Sequence, residues 1–216
     1  MAYLHNIFEL LSLLIAIFYY RYLKASFMKW FLPFLGFIFL GELYAKYQGY
    51  FLKESNYGIY CIIGVVESFF YGYIFYNLSK NRIFKSAIFF FVSISIVSYS
   101  VTYFFLGLDN SYLFLNFIIS GFFLTGIALV YMYFKFIEDD KIILIFEPGF
   151  WIALWISLFN AGTSITFALH DVIKSNSLSL FGIKLYHFVP QILCFVLYSC
   201  ISISIILCKK KTKVSY

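Results

Sequence analysis

Seven stretches of about twenty residues carry nearly all the apolar character of this chain, and the polar positions gather in the short breaks between them. The stretches run from Ile7 to Leu23, Phe27 to Ala45, Tyr57 to Leu78, Ser86 to Leu106, Tyr112 to Phe134, Gly149 to Leu169 and Tyr186 to Cys208. Coiled as an α-helix, at about 1.5 Å per residue, each is long enough to cross the hydrocarbon layer of a bilayer. Lipid offers the backbone no hydrogen bonds, so such runs must satisfy their own peptide groups, and none shows the ten-residue alternation of a membrane strand. The pattern predicts an all-α fold: a polytopic transmembrane bundle of seven helices forming one domain over 1–216, with 209–216 as a basic cytoplasmic tail.

Composition excludes an ordinary soluble domain, since 63% of residues are hydrophobic and only 12% charged. A net charge of +6 would point to nucleic acid in a soluble protein, but here the sign is read connection by connection. One side of the seven crossings collects Arg21, Lys24, Lys29, Lys80, Arg82, Lys85, Lys135, Lys141, Lys209, Lys210, Lys211 and Lys213; the other has only Lys46, Lys53, Lys174 and Lys184. This asymmetry predicts an outside amino terminus and a cytoplasmic carboxyl terminus. It also supports seven as the count, because dropping a span scrambles it. No basic segment precedes the first run and no small-residue cleavage motif follows it, so that span is expected to be retained.

Asn56, Ser111 and Pro148 are expected to open the third, fifth and sixth spans as cap-type residues or a first-turn proline. Pro33 and Pro190 fall in the second turns of theirs, where few backbone bonds are lost. Cys61, Cys194, Cys200 and Cys208 form no CxxC pair and read as small packing residues. Tyr19, Tyr20, Tyr22 and Trp30 bracket the first cytoplasmic connection, as aromatic residues at a headgroup boundary do. Gly64, Ser68 and Gly72 form a stripe for close helix approach; Ser157, Asn160 and Ser164, and Asn116 with Ser120, form two polar packing faces. No internal repeat suggests a transporter built from two halves.

Glu67 is the costliest residue, an acid near the middle of the third span. Such a group costs about 2.5 to 3.5 kcal/mol on insertion scales. Ten Ile, Val, Leu and Phe of the same span return about 0.3 to 0.6 kcal/mol each, so the helix still inserts with the acid facing the bundle interior. Tyr60 and Tyr71 lie on its face and are expected partners. Either Glu67 is a hydrogen-bonded packing element or it is a proton-responsive or cation-binding carboxyl.

A second constellation gathers at the outer side: His5, Glu9, Glu42, His170, Asp171 and His187. His5 and Glu9 share a face if the first helix starts half a turn early. Histidines with carboxylates suit a pH or ligand sensor or a Zn²⁺ site, although histidine also sits at helix ends for solvation alone and HExxH is absent. Ser93, Asn116, Asn160 and Gln191 are candidate pore-lining residues, the first in a fourth span rich in serine (Ser93, Ser95, Ser98, Ser100, with Thr102). No lysine in the seventh span offers a Schiff-base anchor, no facing histidine pair suits haem, and phosphate-loop, dinucleotide and nucleophile-elbow motifs are missing. No cofactor is expected.

Glu147-Pro148-Gly149-Phe150-Trp151-Ile152, continuing through Phe159 to Ala161-Gly162, with the Tyr60 to Tyr76 segment around Glu67 and with Glu42, resembles small seven-helix membrane proteins of Bacteroidota that mostly lack an assigned function. The likeness covers spans two to six, and Trp155 stands where the pattern has Gly. It implies a bacterial inner membrane and carries no catalytic residue across. In size and composition the chain also resembles membrane accessory proteins found beside type VI-B CRISPR nucleases.

The expected function is a non-enzymatic membrane sensor or regulatory module, with outer acids and histidines as input and the basic inner surface as the site of a protein partner. Glu138-Asp139-Asp140 interrupts that surface, and the lysine tail is expected to touch anionic lipid. The alternatives are an oligomeric pore, which needs further copies of the chain, and a metal-dependent intramembrane hydrolase using His5, Glu9, Glu42 or His170. Partners are the bilayer and a cytoplasmic protein, with no nucleic acid expected.

Overall fold

Each long apolar run is helical in the computed structural model, which describes residues 4–24, 26–106, 110–138, 144–176, 179–180 and 183–214. Seven helices among the described residues are long and apolar enough to cross a membrane, and the chain is a multi-pass membrane protein of the all-α class. They are α1 (Leu4–Leu23), α2 (Phe31–Tyr47), α3 (Tyr57–Leu78), α4 (Arg82–Val101), α5 (Asn110–Glu138), α6 (Pro148–Ala168) and α8 (Leu185–Val214). A short helix, α7 (His170–Ser175), and a small antiparallel hairpin, β1 (Ser179–Leu180) with β2 (Ile183–Lys184), join α6 to α8. The hairpin is an addition that the hydrophobic pattern does not reveal.

Helix boundaries move where local hydrogen bonding outweighs hydropathy. A 3-10 turn at Phe27–Trp30 and a π-turn at Gln48–Leu52 lengthen α2 beyond its apolar core, and a second π-turn, Thr102–Leu106, continues α4. The fourth helix starts at Arg82 rather than Ser86, because Asn81 Oδ1 accepts from the backbone N–H groups of Ile83 (2.8 Å) and Phe84 (3.3 Å). Asn56 precedes α3 as expected, but its amide donates to the Ala45 carbonyl at 3.3 Å instead of capping. Ser111 lies inside α5, which begins one residue earlier, whereas Pro148 does open α6. His170 and Asp171 begin α7. Helix α8 runs to Val214, so the backbone of the tail is mostly helical.

Helices α1, α2, α3, α5, α6 and α8 form a closed ring in which each packs on the next and α8 returns to α1; α4 stands outside against α3 and α5. Lipid supplies no hydrophobic force between helices, so this packing rests on close fit and on polar cross-links. The stripe on α3 serves that fit, with Gly72 against Val92 and Gly64 beneath the ring of Tyr99, both from α4. On the other side of α4, Ser98 donates to Asn116 Oδ1 at 2.5 Å and Asn116 donates to Thr102 at 2.7 Å. Ser164 of α6 donates to the Phe117 carbonyl of α5 at 3.4 Å beside Gly121. Ser12 of α1 donates to the Tyr198 carbonyl of α8 at 3.0 Å.

Toward the lysine-rich end the ring is filled by a solid core that includes Phe31, Phe34, Ile74, Phe75, Ile127, Tyr131, Ile152, Trp155, Ile201 and Ile205. Phe34 stacks on Phe70 at 3.7 Å, and the edge of Tyr71 meets Trp155 at 5.2 Å. At the same end Lys135 pairs with Glu147 at 3.2 Å, and Lys209 lies over the rings of Tyr19 and Tyr22 at 5.2 and 5.8 Å. Asp139, Asp140 and Lys141 lie outside the described residues, as do the side chains of Glu138, Lys210, Lys211 and Lys213.

Candidate functional site

Above the core, toward the lysine-poor end, the ring encloses a cavity of about 410 Å³. It reaches from the helix ends at His5, Asn56, Tyr57 and Tyr186 inward to Glu67, Leu124, Asn160 and Tyr198. Its two sides differ in chemistry. Helices α1, α2 and α3 contribute Glu9, Glu42 and Glu67, while α5 and α6 contribute Leu113, Phe114, Phe117, Leu124, Phe159 and Phe167 with the uncharged Ser120, Asn160 and Thr163. Tyr99 is the contribution of the outer helix α4, admitted because Gly64 has no side chain.

Each acid is held differently. Glu9, only 4% exposed, accepts from Tyr198 Oη of α8 at 3.1 Å and from Asn6 Nδ2 at 3.4 Å. Glu42 accepts from Tyr60 Oη at 3.2 Å, and His5 Nε2 lies 4.0 Å from it. Glu67 accepts from Tyr71 Oη at 3.5 Å, its one hydrogen-bond donor among the described residues. Carboxyls removed from water are tolerated when paired or hydrogen-bonded, and here tyrosine hydroxyls carry most of that load.

The charged partner sits at the rim. Lys46 Nζ lies 2.5 Å from His5 Nε2 and also donates to Asn6 Oδ1. Through His5 and Asn6 it links the surroundings of Glu42 and Glu9, so one ammonium serves two acids near the mouth and none at the depth of Glu67.

The structure therefore unites two groups that are separate in sequence: the intramembrane acid Glu67 and the outer set His5, Glu9 and Glu42 share one cavity. Tyr71 partners Glu67 as expected, but Tyr60 turns to Glu42, because α2 packs beside α3 at that level. His170 contacts Asp171 at 3.1 Å and meets the rings of Phe114 (tilted) and Tyr186 (edge-on), two cavity residues, without itself lining the cavity. The backbone of His187 is in α8, and its side chain lies outside the described residues. Of the pore-lining candidates, Asn160 and Gln191 line the cavity; Ser93 does not, and Asn116 is consumed in tying α5 to α4. Ser95 and Ser100 donate to carbonyls of their own helix. Among the described residues no three His, Cys, Asp or Glu side chains are disposed to hold a metal ion.

Sequence reasoning missed Lys46, Asn6, Tyr99 and Tyr198. Lys46 carried a signal, since it follows Glu42 by four residues on one helix face. Tyr198 carried none, because its acid lies on the first helix and only the closure of the ring joins them. No protein-family model, no curated protein and no solved structure matches this chain.

Proposed function

We propose that this chain is a non-enzymatic sensor or regulatory module of a bacterial inner membrane. A small molecule occupying the acidic cavity is its input, and the lysine-rich end presents the response to a protein partner. The observation that carries this reading is a cavity of ligand size that gathers Glu9, Glu42 and Glu67 and whose lining stops at Glu67, Leu124, Asn160 and Tyr198, short of the core that holds Trp155. Conduction needs a continuous polar path, and a cavity whose lining stops there suits occupancy better than flux. A ligand that fits one packing of the ring better than another shifts the equilibrium by its difference in affinity. The contacts from Glu67 through Tyr71 to Trp155 give such a shift a route from the cavity into the core.

Two measurements test it. Proteoliposomes containing the protein should hold K⁺, Na⁺ and proton gradients as well as empty vesicles; leakage tenfold faster would replace this reading with a pore. Glu67→Gln should change hydrogen exchange at the lysine-rich ends of α3 and α6, and unchanged exchange would remove Glu67 from the signalling route.

A further inference from the structure

Below the residues that line the cavity, the edge of Tyr71 of α3 meets Trp155 of α6 at 5.2 Å and sets the relative level of the two helices. Moving one turn toward the mouth on α3 reaches Glu67 and Ser68, and moving slightly more than a turn on the antiparallel α6 reaches Asn160. A turn is about 5.4 Å, so the three residues stand about one turn above that contact. All three line the cavity.

None of them is saturated. Ser68 is 1% exposed and makes no hydrogen bond among the described residues. Asn160, 8% exposed, spends its Nδ2 on the Ile156 carbonyl at 2.9 Å, which leaves Oδ1 without a donor among the described residues. Glu67 has one donor for its two oxygens. Polar atoms that face a cavity with acceptor capacity to spare can be satisfied by a ligand that supplies donors. What the set can still take is three donors, at a carboxyl group next to an aromatic wall.

We infer that the cavity binds a primary organic ammonium ion with an apolar body. Its three N–H groups go to Glu67, Ser68 and Asn160, and its body lies against Phe117, Phe159 and Leu124. A primary ammonium has three donors and no acceptor, which matches this set. Tyr99 and the phenylalanines add ring faces that attract a cation. No Lys or Arg lines the cavity, so nothing there recommends an anion. Lys46 is engaged with His5 and Asn6 at the rim and does not fill the deep position. The inference rests on the reading of this cavity as an input site and adds the chemistry of the input.

The test is binding of four probes of one shape to the full chain in nanodiscs: phenethylamine, its N,N,N-trimethyl analogue, 2-phenylethanol and phenylacetate. Phenethylamine should bind at least tenfold more tightly than the other three, and Glu67→Gln should remove that preference. Ser68→Ala and Asn160→Leu should each weaken phenethylamine several-fold. Equal binding of amine and alcohol, tighter binding of phenylacetate or of the trimethyl compound, or no binding of the amine to folded wild-type protein would overturn the inference. The wild-type series decides even if Glu67→Gln does not fold. Failure to bind in vesicles that stay tight sinks the ligand class and leaves the sensor reading standing. Amine binding accompanied by amine-driven flux does the reverse.

Discussion

The ring of Tyr99 lies directly over Gly64, close enough that a methyl group at Gly64 would come 2.8 Å from the Tyr99 hydroxyl oxygen. This places a residue of the outer helix inside the cavity, where its hydroxyl meets Ser120 Oγ at 3.0 Å. Gly64→Ala should drive Tyr99 outward, break that contact and loosen α4 from α3. The expected cost is about 1 to 3 kcal/mol, the usual range for overpacking. Thermal unfolding in detergent measures it, and an unchanged transition would mean that α4 docks without this fit.

Tyr198 supports Glu9 from across the α1–α8 seam. Tyr198→Phe keeps the ring and removes the donor, leaving a nearly buried carboxyl with Asn6 at 3.4 Å. Destabilisation of about 1 to 3 kcal/mol is expected, as for other buried groups that lose a hydrogen bond. The double variant Tyr198→Phe with Glu9→Gln should lose less than the two single changes added together, because they act on one interaction.

Asn116 joins α4 to α5 twice, through Ser98 and Thr102, and does not touch the cavity. Asn116→Ala should cost about 1 kcal/mol, since interhelical hydrogen bonds in membranes average about 0.6 kcal/mol each. Probe binding at the cavity should be unaffected. A loss of binding without loss of folded protein would return Asn116 to the site.

Orientation is open to a direct measurement. Lys53 is exposed at the cavity end and Arg82 at the opposite end. In a cysteine-free background, Lys53→Cys should react with an impermeant maleimide on intact cells, and Arg82→Cys only after permeabilisation. The opposite pattern would invert the proposed topology and place the cavity on the cytoplasmic side.

Much of the candidate site was legible residue by residue. Glu67 stood out because a lone acid in an apolar run has to be shielded, and its bond to Tyr71 follows from a four-residue spacing on one helix. His5, Glu9 and Glu42 stood out because the topology put them near one membrane face. Their convergence with Glu67 was not legible, since it depends on which helices are neighbours in the ring. The partners of the polar stripe on α4 were not legible for the same reason: a stripe looks alike whether it faces water or bonds to another helix, and here Asn116 answers Ser98 and Thr102.

Taken alone, the order of amino acids determined how many helices cross the membrane and roughly where they end. Transfer into lipid and satisfaction of backbone hydrogen bonds are decided within each segment and sum along it. Tertiary structure decided that α4 stays outside the ring, that Tyr198 reaches Glu9 and Tyr60 reaches Glu42, and that an unfilled space remains above Trp155. Those outcomes follow from the shapes of side chains on different helices meeting one another, as Gly64 meets Tyr99, and no stretch of a single helix contains that information.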